Sequence, residues 1–127
     1  MSSALAAIDG LIHSFGQHDR DAYFDCFATD ATFLFHDSPV RLESREEYET
    51  LWREWETAGE FRVLSCVSTN RRIQIFGETA VFSHDVKTEL TMAGETSTVG
   101  ERESIIMHFI DNKWLCVHEH LSVGAAL

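Results

Sequence analysis

Leu5, Ile8, Leu11, Ile12 and Phe15 recur at three- and four-residue intervals, which predicts an amphipathic helix over residues 3–16. Gly16 supplies a stop. Asp19 caps a shorter helix carrying Ala22, Tyr23, Cys26 and Phe27. The segment ATFLFH (31–36) is rich in β-formers and predicts a strand, with the lone proline, Pro39, in the turn after it. Ser44 followed by Glu47 is a capping box. It opens a helix with Tyr48, Leu51, Trp52 and Trp55 on one stripe and Gly59 as its end. Beyond Gly59 the period shortens to two. Residues 61–76, 79–92, 96–110 and 114–122 read as strands separated by Gly77-Glu78, Ala93-Gly94-Glu95 and Asp111-Asn112-Lys113. The order α-α-β-α-β-β-β-β, with short turns between the last four strands, predicts an α+β fold: helices on one face of a curved, mainly antiparallel sheet. No linker divides the chain, so residues 1–127 are expected to form one domain.

Alternation sorts the strand residues into two faces. A three-residue loop at 111–113 aligns Leu115, Val117, Glu119 and Leu121 with Glu103, Ile105, Met107 and Phe109 on the apolar, inward face. Ile105 then faces Glu119, and Glu103 becomes the diagonal neighbour of Glu119. Two carboxyl groups in an apolar setting raise each other's pKa, which yields a proton donor and acceptor near neutral pH. His84 belongs to the inward set of its strand with Phe82, Val86 and Leu90, so Glu119, His84 and Glu103 are the candidate catalytic groups. Phe33, Phe35, Asp37, Trp52, Trp55, Ile105, Met107, Val117 and Leu121 are the expected pocket lining, with Tyr23 as an aromatic wall or hydroxyl donor. Each has a plainer reading. Trp52 and Trp55 at helical spacing are an ordinary core stripe. Glu103 at the sheet's end is a solvated side chain, Glu119 is half of a buried ion pair, and a bulge beside Asp85 turns His84 outward.

The opposite face carries His108, His118 and His120 beside Ile106, Ile110 and Trp114. His-x-His on a strand is a metal-ligand geometry. No acidic or cysteine partner is fixed by spacing, so no metal site is expected, and the face reads as a homodimer interface.

Charge narrows the partners. Twenty-one acidic against ten basic side chains give a net charge of −11, which disfavours nucleic acid and anionic membranes. Hydrophobic residues are 44% and charged residues 24%, the balance of a folded chain. No apolar run is long enough for a membrane helix, and the N-terminus lacks a basic leader. Three separated cysteines, Cys26, Cys66 and Cys116, suggest reduced thiols and a cytoplasmic location. No phosphate loop or nucleophile elbow occurs, and no cofactor is expected.

The C-terminal third contains Arg102-x-Ser104, Asp111-x-Lys113-Trp114 and Val117-His-x-His-x-Ser122. With HDRDAYFDCFATDATF (18–33), this resembles the nuclear transport factor 2-like superfamily, in particular its SnoaL-like branch and the association domain of calcium/calmodulin-dependent kinase II. The resemblance implies a cone-shaped α+β barrel, a pocket between helices and sheet, and sheet-to-sheet dimers. Activities differ across that superfamily, so fold alone assigns none. The resemblance and the carboxylates together suggest a binder of an apolar small molecule. The expected chemistry is isomerisation, dehydration or cyclisation of a carbonyl compound by proton transfer. The alternative is a non-catalytic ligand-binding or assembly module. Laid over ketosteroid isomerase, the chain has Phe35 at the base position, Leu11 at the tyrosine donor and Ile105 at the second acid. Ile105 and Leu121 likewise replace pocket arginines of the kinase association domain.

Overall fold

A computed structural model describes residues 3–124. Its elements are α1 (Ala4–Gly16), α2 (Arg20–Phe24), β1 (Phe27–Phe35), α3 (Arg45–Ala58), β2 (Arg62–Phe76), β3 (Thr79–Met92), β4 (Glu95–Ile110) and β5 (Lys113–Val123). The five strands form one sheet in the order β1-β5-β4-β3-β2. All neighbouring strands are antiparallel except β1 and β5. The α+β architecture and the element order follow the sequence pattern.

Local chemistry explains the helix ends. Ser3 caps α1 by accepting from Ala6 N at 3.1 Å, and Ser44 caps α3 by accepting from Glu47 N at 3.1 Å. The helices bury the stripe Ala4, Ile8 and Leu11 from α1 and Tyr48 and Trp52 from α3. α1 lies close on β2: a Cβ at Gly16 would stand 3.3 Å from Cys66 Cβ, closer than ordinary van der Waals contact, so Cys66 would have to give by a few tenths of an ångström. Strand β1 begins earlier than the pattern indicated. α2 stops at Phe24, and Phe27 already pairs with Cys116 of β5 across an irregular stretch reaching to Thr32.

The β4–β5 hairpin corrects the expected loop. Ile110 pairs with Lys113, leaving a two-residue turn of Asp111 and Asn112, both at positive φ (50° and 67°). This is the primed turn that matches strand twist. The register at Glu119 nonetheless agrees with the expectation, because β5 carries a bulge. Met107 pairs with Cys116 but Ile106 with His118, so Val117 is the extra residue. The bulge reverses the alternation on its turn-proximal side. Cys116 is fully buried and Trp114 packs against the core beside Phe109, whereas the unbroken alternation placed both outward. Leu115, paired with His108, moves to the outer face.

No bulge interrupts β3 against β4. The irregularities fall in β2 instead, near Leu64 and near Asn70, whose φ is +51°. His84 therefore keeps its inward orientation and is 3% exposed. The core between helices and sheet is dense in rings: Trp52, Phe27, Phe33 and Phe82 are essentially inaccessible, with Ile105 and Met107 beneath them. No helix among the described residues is long and apolar enough to cross a membrane.

Candidate functional site

A cavity of about 550 Å³ opens between the helices and the inner face of the sheet. Its apolar wall comes from Leu11, Ile12 and Phe15 of α1, Tyr48, Leu51, Trp52 and Trp55 of α3, and Phe35, Phe61, Val86, Leu90 and Leu121. The mouth is formed by His36, Asp37, Ser38 and Pro39, between β1 and α3. Polar groups converge at one side: Tyr23, His84, Glu101, Glu103 and Glu119.

These polar groups form one hydrogen-bonded line that crosses six elements. Tyr23 of α2 donates to Glu119 Oε1 of β5 at 3.3 Å. Its oxygen lies 3.0 Å from the hydroxyl of Tyr48 on α3, which is left as the donor of that pair. Glu119 is the hydrogen-bond partner of Glu103 on β4. Glu103 Oε1 lies 2.7 Å from His84 Nε2 on β3. His84 Nδ1 in turn meets Ser68 Oγ of β2. Strand register builds the sheet portion: His84 pairs directly with Glu103, and Glu119 pairs with Ile105, one inward step from Glu103.

Burial decides the protonation states. Glu119 is 2% exposed, and among the described residues its hydrogen bonds go to Tyr23 and Glu103, none to a lysine or arginine. Desolvation, reinforced by the Glu103 charge, pushes its carboxyl well above the usual carboxylate range. Burial also raises Glu103, but the hydrogen bond from Glu119 opposes that rise. The shared proton therefore resides on Glu119, and Glu103 is the carboxylate. Desolvation, then the Arg71 charge, lowers His84 to about 4, so its ring is neutral at pH 7. Since Glu103 accepts, the His84 proton sits on Nε2, and the Ser68 hydroxyl donates to Nδ1. Burial, and next the Glu119 charge, holds the Tyr23 and Tyr48 phenols well above their ordinary range, so both stay protonated.

The three candidate catalytic residues are thus brought together at the cavity wall. Phe35, Asp37, Trp52, Trp55 and Leu121 line it as well. Four expected lining residues do not. Phe33, Ile105 and Met107 are fully buried in the packing behind the cavity, and Val117 is displaced by the bulge. Tyr48, Ser68 and Glu101 were not singled out by the sequence. The β2 bulges hide the parity of Ser68, although Asn70 at a left-handed position is a residue type that signals such a break.

The outer-face histidines are held separately. His118 Nδ1 lies 2.8 Å from Thr32 Oγ1, and His108 Nδ1 lies 3.2 Å from Thr79 Oγ1. Among the described residues, no three metal-ligating side chains converge. The thiols sit in apolar surroundings: burial pushes Cys26 up to about 11 and Cys66 up to about 12.

Comparison with known structures places this architecture. An NTF2-like protein of unknown function in nutrient uptake from Rhodospirillum rubrum is similar with a TM-score of 0.82 at 18% identity, covering 98% of this chain and 100% of that one. A kinase II association domain-like protein from Xanthomonas campestris gives 0.77 at 21% identity over 97% and 86% of the two chains. A ketosteroid isomerase-like protein from Parabacteroides distasonis gives 0.74 at 13% identity over 97% and 89%. No curated protein matches the sequence. The profile of the SnoaL-like domain matches residues 4–126. The chain belongs to the SnoaL-like domain family.

Proposed function

We propose that the cavity binds an apolar small molecule bearing a carbonyl group and moves a proton on it, as an isomerase, dehydratase or cyclase does. The single observation that carries this reading is the hydrogen-bonded pair of Glu103 and Glu119 on the wall of an aromatic-lined cavity. The pair holds its proton on Glu119 in preference to Glu103, the division of labour that acid–base chemistry requires. In this reading Glu119 turns its proton from Glu103 to the ligand carbonyl and stabilises the enolate oxygen. Glu103, released, removes the proton on the adjacent carbon. His84 acts as a positioning residue: its Nε2–H holds the Glu103 carboxylate, and its neutrality disqualifies it as the acid. Tyr23, supported by Tyr48, holds Glu119 through Oε1. The pair uses residues other than those of ketosteroid isomerase, whose positions here carry Phe35, Leu11 and Ile105.

The test is deuterium exchange at the carbon beside the carbonyl of 2-tetralone in D₂O, followed by NMR. The expected result is exchange above the buffer rate that falls about 100-fold in Glu119→Gln and in Glu103→Gln. Saturable binding of 2-tetralone with no exchange above buffer would instead support a non-catalytic binding module. Self-association through the outer sheet face belongs to the same proposal. Ile106 and Ile110 remain on that face, while Trp114 has turned to the core. A stable monomer in sedimentation at micromolar concentration would remove that part.

A further inference from the structure

The cavity is acidic as well as aromatic. Asp37, Glu101, Glu103 and Glu119 line it, and among the described residues no lysine or arginine does. These carboxyl groups form a row from mouth to wall. Glu101 feels the charge of Asp37, Glu103 feels that of Glu101, and Glu119 feels that of Glu103. The imidazoles along the row are His36, whose Nε2 lies 2.6 Å from Glu101, and the neutral His84. Basic residues nearby are directed elsewhere. Arg71 stands 5.2 Å over the Phe82 ring and is bonded to Asp9; its charge reaches His84, but neither it nor Arg102, opposite Asp85 in the β3–β4 register, lines the cavity. With the proton of the pair on Glu119, the like charges of Glu101 and Glu103 repel one another, and a water-poor setting magnifies that repulsion. Seven aromatic rings line the same cavity, and their faces attract cations. The net charge of −11 extends the negative field outside the mouth.

We propose that the ligand of this cavity carries a protonated amine, seated between the aromatic wall and the carboxylate of Glu101, away from the reacting pair. This rests on reading the cavity as a ligand site and adds the charge class of its occupant. An anionic ligand, whether a carboxylate or a phosphate ester, is excluded by the same field.

Three probes of one shape and different charge test it. Tryptamine is cationic, tryptophol neutral and indole-3-acetate anionic at pH 7. Binding to the wild-type protein is measured by calorimetry at low salt and again at high salt. Tryptamine is expected to bind about tenfold or more tighter than tryptophol, with indole-3-acetate weakest. High salt should shrink the gap. In Glu101→Gln, which keeps the side-chain shape, the tryptamine advantage should fall severalfold while tryptophol affinity is retained. That retention shows the cavity is still folded. Tryptophol binding as tightly as tryptamine, or none of the three binding, would overturn the proposal. A failure here leaves the exchange of neutral 2-tetralone unaffected, and a failure of that exchange leaves the charge preference unaffected. The two readings therefore fall separately.

Discussion

Glu119 stands one inward step from Glu103 across the β4–β5 ladder, and the two carboxyl groups share a hydrogen bond with the proton on Glu119. A carboxyl whose pKa is raised by folding is linked to stability. Its folded pKa lies well above its unfolded value, so the folded state holds the extra proton. The contribution is fully favourable below the ordinary carboxylate pKa of about 4.5 and is lost as pH rises through the folded value. Denaturant midpoints of the wild-type protein should therefore decline with rising pH across that window. Glu119→Gln, neutral at every pH and able to donate to Glu103, should flatten the decline. Parallel slopes for the two proteins would mean that Glu119 ionises normally.

His84 acts in the opposite sense. Its pKa falls from 6.5 unfolded to about 4 folded, so the unfolded state binds the extra proton between those values. Stability from this group should drop as pH falls from about 6.5 to 4. Nitrogen-15 spectra should show a neutral, Nε2-protonated ring at pH 6. An imidazolium signal at that pH would contradict the arrangement with Ser68 and Glu103.

The tyrosines carry a mutational prediction. Tyr23→Phe removes the donor to Glu119 and leaves the Tyr48 hydroxyl without its acceptor, so a loss of about 1–3 kcal/mol is expected. Tyr48→Phe leaves the Tyr23–Glu119 bond intact and should cost less. The double variant should cost less than the sum, because both act on one hydrogen-bonded line. Additive losses in urea titrations would separate the two hydroxyls.

The bulge at Val117 predicts the thiol order. Cys116 is fully inaccessible, whereas Cys26 and Cys66 are half-buried. Alkylation followed by mass spectrometry should label Cys116 last, at the rate of global unfolding. Rapid labelling of Cys116 in the native protein would mean that β5 runs without the bulge and carries that side chain outward.

Periodicity made most of the architecture legible. The stripe through Trp52 and the unbroken alternation of β3 each had one strong interpretation, and local turn and cap residues marked the ends. Glu119 was legible because it interrupts an apolar set between Val117 and Leu121. What escaped notice lies beyond a bulge. The two-residue turn at Asp111 and Asn112 and the extra residue Val117 offset each other, so the register at Glu119 was correct for a reason that alternation does not contain. The faces of Trp114, Leu115 and Cys116 were consequently reversed. Ser68 was hidden by the same kind of break in β2. Phe33, Ile105 and Met107 face inward as alternation requires, but a cavity occupies only part of an inner face, and its edge depends on helix packing.

The shared proton is tested most directly by infrared difference spectroscopy of the wild-type protein against Glu119→Gln at pH 7. The carbonyl stretch of a protonated carboxylic acid is expected in the wild-type spectrum, shifted in D₂O and absent from the variant. A difference spectrum containing only carboxylate bands would show that Glu119 is ionised, and the donor–acceptor pair at the cavity wall would not exist.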